Sequence, residues 1–133
     1  MTAVRREGSR WLLGAVFVAA GAAHLAVPDV YVTAMPPWLP EPFVLVLVSG
    51  VAELAGGIGV LQPDLRLRRA AGWGLAALLV AVYPANLQMA LSRPEAVVLW
   101  LRLPLQGALV AWALRASGAV GYSRSRRAAA SAA

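Results

Sequence analysis

Residues 42–61 read PFVLVLVSGVAELAGGIGVL, an apolar run in which Glu53 is the sole ionisable side chain. At ~1.5 Å per residue, a helix of this length covers about 30 Å, the thickness of a bilayer's hydrocarbon core, so the run is read as a membrane span. Pro42 opens it where a missing N–H is harmless, and Gln62-Pro63 closes it. An ionised group at the centre of such a helix costs roughly 2.5 to 3.5 kcal/mol on insertion scales. Glu53 therefore needs a partner or water, and it becomes the first candidate for a site.

Working outward, comparable runs cover about residues 9–27, 70–91 and 97–116. The expectation is an all-α integral membrane four-helix bundle, folded as one domain over residues 1–122 and followed by a disordered basic tail, 123–133. With 60% hydrophobic and 14% charged residues, the chain has too little polar surface for a water-soluble globule, and the lipid bilayer is its first partner. The first run also has the arginine flank and small residues of a secretory signal peptide, but the spans that follow favour an uncleaved helix. Pro84 and Pro104 lie well inside the third and fourth runs. Each frees a carbonyl four residues upstream, at Val80 and Trp100, so both spans are expected to kink and to draw donors from their neighbours.

All twelve basic residues are arginine, and the net charge is +6. Arg5, Arg6 and Arg10 precede the first span, Arg66, Arg68 and Arg69 separate the second and third, and Arg115, Arg124, Arg126 and Arg127 follow the fourth. These are alternate loops, so the positive-inside bias places both termini in the cytoplasm and removes the case for a nucleic-acid partner. Trp11, Trp73 and Trp112 fall near that face, and Tyr31, Trp38 and Trp100 near the opposite one. Gly14, Gly21, Gly50, Gly56, Gly57, Gly59, Gly72 and Gly74 would let helices approach closely. The external loop Met35-Pro36-Pro37-Trp38-Leu39-Pro40 reads as a stiff connector with a tryptophan anchor, the alternative being a lid over an outward cavity.

Besides Glu53 in its run, His24, Asn86, Arg102 and Gln106 interrupt the other three apolar runs. Counted from the external helix ends, His24 is about 5 Å deep, Asn86 and Arg102 about 8 Å, Gln106 about 14 Å and Glu53 about 17 Å. All five lie in the outer half or at the midplane, which marks them as candidate ligand-binding residues. Arg102 and Gln106 share a helix face, and the Arg102 guanidinium suits a carboxylate, Glu53 being the acid within reach. The bland readings are a headgroup contact for Arg102, an interfacial role for His24 and interhelical clasps for Glu53, Asn86 and Gln106. A local echo, Gly21-Ala-Ala-His24-Leu-Ala against Gly50-Val-Ala-Glu53-Leu-Ala, puts His24 and Glu53 in equivalent slots of opposed spans. The absence of cysteine removes disulfides, iron–sulfur clusters and thiolate zinc, and one histidine with Glu53 gives too few ligands for bis-histidine haem or a closed zinc site.

Gly21-x-x-His24 with Pro28, the loop from Met35 to Pro40, Ser49-Gly-Val-Ala-Glu53-Leu-Ala-Gly-Gly, Tyr83-Pro84-Ala-Asn86-Leu-Gln-Met89 and Arg102-Leu-Pro104-Leu-Gln106 follow in order along residues 10–116. In that combination the chain resembles the DoxX-like family of small four-helix bacterial membrane proteins. The resemblance implies a multi-pass protein of the bacterial cytoplasmic membrane, with the family's polar positions at His24, Glu53, Asn86, Arg102 and Gln106. Some members of the wider family are associated with quinone-linked sulfur oxidation or membrane redox complexes. The leading expectation is thus an accessory or quinone-interacting subunit, with quinone as cofactor and redox proteins as partners. A small-molecule carrier with an outward cavity and a non-catalytic structural protein stay open beside it, and an enzyme acting alone is the less favoured reading.

Overall fold

The computed structural model describes residues 3–120 and Ser131. Apart from Ser131, the expected tail at 123–133 lies outside the described residues. The described chain is helical throughout its regular structure: α1 (Ala3–Ala26), α2 (Pro28–Ala34), α3 (Pro42–Gly59), α4 (Leu65–Ser92) and α5 (Val97–Ala116). Helices α1, α3, α4 and α5 are long and apolar enough to cross a membrane. Consecutive long helices pack side by side, and a lighter contact between α1 and α5 closes the ring.

The helix limits depart from the hydropathy reading where polar residues extend a helix beyond its apolar part. α4 starts at Leu65 rather than residue 70, because the Asp64 side chain caps it, accepting from the Arg66 and Leu67 amides at 2.7 and 3.1 Å. α1 starts six residues before the expected residue 9, and its added turns include the pair Glu7–Arg10 at 3.6 Å. The connector after α1 contains the unforeseen helix α2, opened by Pro28 with Asp29 in its first turn, both favourable at a helix N-terminus.

α1 and α3 run antiparallel and meet through glycines. A Cβ on Gly21 would lie 2.6 Å from Gly50 O and 2.8 Å from Leu54 N, backbone atoms that cannot turn aside. A Cβ on Gly57 would lie 2.9 Å from Val18 N, and one on Gly14 would strike the Leu61 side chain. Gly56 and Gly59 do the same for α3 against α4, receiving Leu75 and Ala71, while Gly72 seats Ser117 at the end of α5. Without a hydrophobic force between helices in lipid, such close approach supplies the dispersion contacts that hold them together. Gly74 has no part in this, since nothing lies within 4 Å of the position its Cβ would take.

The two ends of the bundle differ. The core cluster, Leu13, Phe17, Val60, Leu75, Leu79 and Ala113, is buried toward the arginine-rich end. There Arg68 Nε and Arg69 Nε donate to Ser117 O and Gly118 O at 3.3 and 3.0 Å, satisfying carbonyls just past α5, and Trp112 Nε1 donates to Ser9 Oγ at 2.8 Å. At the opposite end, α2 and the Met35–Pro40 loop cross over the helices.

Gly21→Ala is expected to cost about 1–3 kcal/mol, as overpacking does, and Gly74→Ala to cost nothing. Thermal unfolding of the two variants in the same detergent checks this contrast.

Candidate functional site

His24 and Glu53 meet because of the α1–α3 crossing. A Cβ on Gly50 would lie 2.8 Å from His24 Cβ, so His24 is level with Gly50 and about 4.5 Å along the axis from Glu53. The depth count, which implied about 12 Å between them, is corrected. It assumed that helix ends are level, whereas α3 continues past the end of α1 beneath α2. Cα–Cβ bonds tilt toward the helix N-terminus, and in antiparallel helices these tilts bring the two side chains toward each other. His24 Nδ1 stands 3.0 Å from Glu53 Oε2, with both side chains about 15% exposed, at 16% and 14%.

The contact is not a hydrogen bond. Nδ1 also lies 2.8 Å from Ala20 O, an acceptor only, so the ring carries its proton there and donates it to its own helix. Glu53 Oε2 is thereby left buried beside an imidazole but without a donor in hydrogen-bonding geometry. The ring is held on its face by Tyr31 of α2, stacked at 3.9 Å between centroids and 23° between planes.

On the facing helices, Asn86 Nδ2 donates to Gln106 Oε1 at 2.8 Å, and Gln106 Nε2 donates to Leu79 O. Both side chains are buried. Leu79 immediately precedes Val80, whose carbonyl Pro84 deprives of its usual donor, so a neighbouring helix does supply a donor in the proline turn, one carbonyl away from the place expected. Arg102 lies one helical turn from Gln106 on α5 and is exposed. The direct Arg102–Glu53 pair suggested by chain reach is replaced by His24–Glu53. Among the described residues, Arg102 makes no ion pair.

All five residues line one cavity of about 720 Å³. Its remaining wall is mainly apolar, with Phe17, Val46, Leu79 and Leu105 among the contributors, and Met35, Trp38 and Leu39 lie over it from the connector. The connector, read as a stiff anchor, thus also forms part of a ligand-sized chamber. Tyr31 was legible as an interfacial aromatic but not as the stacking partner of His24, a role that depends on the unforeseen α2. The polar set divides chemically: Asn86 and Gln106 are bonded to each other and Gln106 to Leu79, whereas Glu53 Oε2 is buried without a donor and the exposed Arg102 has no acceptor among the described residues.

Interhelical hydrogen bonds in membranes are worth roughly 0.6 to 2 kcal/mol each. Gln106→Leu, which removes the bonds to both Asn86 and Leu79 O, is expected to lower stability by more than Asn86→Leu, which removes a single bond. Unfolding of both variants under identical detergent conditions measures the difference.

No curated protein and no solved structure matches the chain. Residues 13–117 match the model of a family described as a domain of unknown function (DUF8561), and the chain belongs to that family.

Proposed function

We propose that the protein binds an amphiphilic small molecule of the quinone type in the cavity beneath α2, as an accessory subunit of a membrane redox complex. The observation that carries this reading is the chamber of about 720 Å³ with a mainly apolar wall and a few convergent polar groups. That volume lies in the range of roughly 300–1,000 Å³ usual for small-molecule sites. His24, Glu53 and Arg102 would hold the polar head, while Phe17, Leu105 and Trp38 would surround the ring and the start of its tail. A bound quinone would supply two-electron redox chemistry, which the side chains of this cysteine-free chain lack. The residues of the chain bind and orient it and keep bulk water from its head.

Arginine placement supports an orientation with both termini in the cytoplasm, so that the cavity faces the outer side of the bacterial cytoplasmic membrane. Kinks at Pro84 and Pro104, expected from the prolines inside α4 and α5, would fit the same picture by spreading the two helices where the chamber lies. The motifs shared with DoxX-like proteins add to the redox assignment. For Asn86 and Gln106, the bond between them and that of Gln106 to Leu79 O favour a clasp between α4 and α5 over direct ligand contact.

Trp38 on the cavity wall provides a direct test, because quinones quench indole fluorescence. In nanodiscs, decyl-ubiquinone is expected to quench the wild-type protein saturably, and the saturable part is expected to vanish in Trp38→Phe and to weaken about ten-fold in Arg102→Ala, as loss of one charge-assisted hydrogen bond would give. Quenching that rises linearly with quinone and equally in all three proteins would mean simple partitioning into lipid and would overturn the proposal.

A further inference from the structure

The head of the cavity has a hydrogen-bonding polarity that selects among ligands. Glu53 Oε2 is buried and accepts no hydrogen bond, because the nearest proton, on His24 Nδ1, is directed at Ala20 O. Tyr31 covers the ring that carries that proton, so the imidazole is not free to turn its Nδ1–H toward the carboxylate without giving up both the stack and the helix carbonyl. Across the chamber, Arg102 offers donors and is unable to accept. The two ends are therefore opposite in kind: a buried acceptor without a donor on α3, and on α5 the donors of the exposed Arg102, which have no acceptor among the described residues. Asn86 and Gln106 at this cavity are already hydrogen-bonded to each other, and the Ser49 hydroxyl on α3, which can donate or accept, completes the polar lining from the spans.

We propose that the site takes a hydroxyaromatic ligand that donates a phenolic O–H to Glu53 and presents an oxygen acceptor to Arg102. This deepens the quinone-type reading and rests on it: of the two redox forms, the hydroquinone satisfies both ends of the site. The oxidised quinone has two carbonyl acceptors and would set one of them against the carboxylate. A buried acceptor left without its donor is penalised, and the expected preference for the reduced form is about ten-fold.

The test compares decyl-ubiquinol with decyl-ubiquinone, and dodecyl 4-hydroxybenzoate with dodecyl 4-methoxybenzoate, by native mass spectrometry and Trp38 quenching of the protein in nanodiscs. The second pair is redox-silent and differs in the phenolic donor, which a methyl group replaces. The quinol and the phenol are expected to bind about ten-fold more tightly than their partners. Glu53→Gln, whose amide can donate as well as accept, should erase both preferences while keeping binding, and Arg102→Ala should weaken all ligands without changing the ratios. Equal binding of quinol and quinone would overturn the donor requirement and leave the quinone-type reading standing. Preference for the phenol over its methyl ether, without binding of either ubiquinone form, would keep the donor requirement and remove the quinone. Failure of all four to bind would overturn both. Retention of the preferences in Glu53→Gln would also overturn the assignment to Glu53, and recovery of the folded variant by size exclusion shows that the site, not the fold, is being read.

Discussion

The close approach of α1 to α3 at Gly21 and Gly50 is the constraint on which the rest of the molecule depends. A Cβ at Gly21 would fall 2.6 Å from a backbone oxygen of α3, so the crossing exists only because neither helix carries a side chain there. That absence sets the axial register of the two helices, and the register places His24 level with Gly50, one turn from Glu53. A charged group inside a membrane is costly unless it is paired or hydrated. The glycine contact delivers the imidazole that stands beside it.

From that crossing the bundle develops unequally toward its two ends. Toward the arginine-rich end, Gly14, Gly56, Gly57, Gly59 and Gly72 receive neighbouring side chains or backbone, and the gaps are filled by Leu13, Phe17, Val60 and Leu75. Toward the other end the close glycine contacts stop, Pro84 and Pro104 interrupt the hydrogen-bond ladders of α4 and α5, and polar side chains take the facing positions. A closed half and a hollow half result. The hollow half is spanned by the Asn86–Gln106 bond and roofed by α2 and its following loop, which leaves His24 and Glu53 largely covered and Arg102 exposed at its edge. What this half leaves unpaired is a buried carboxylate oxygen of Glu53 on α3 and, on α5, the exposed guanidinium of Arg102, the two groups that the proposed ligand would meet.

Much of this was legible in the chain. Length and hydropathy locate the four long helices, since a lipid solvent demands about twenty apolar residues per crossing. Intramembrane cost alone singles out His24, Glu53, Asn86, Arg102 and Gln106, and the structure gathers all five around one chamber. The Gly21/His24 and Gly50/Glu53 echo carried more information than its six residues suggested, because the two glycines are the contact itself. What was not legible depends on relations between helices. The partner of Glu53 could not be read from depth, since helix ends are not level, and the side-chain tilt that joins His24 to Glu53 appears only once α1 and α3 are known to be antiparallel neighbours. Helix α2 escaped notice because a seven-residue helix between prolines has no hydropathic period of its own, and the stacking of Tyr31 on His24 was hidden with it.

The protein contains a single histidine, which makes the central contact accessible to a direct measurement. With ¹⁵N-histidine and ¹³Cδ-glutamate incorporated, rotational-echo double-resonance NMR of the protein in lipid bilayers reads the distance from the His24 ring to any nearby glutamate carboxyl. Nδ1 at 3.0 Å from Glu53 Oε2 predicts strong dephasing that disappears in Glu53→Asp labelled only at glutamate. Absence of dephasing in the wild-type protein, or dephasing that survives that substitution, would contradict the pairing of His24 with Glu53 and the account of the cavity built on it.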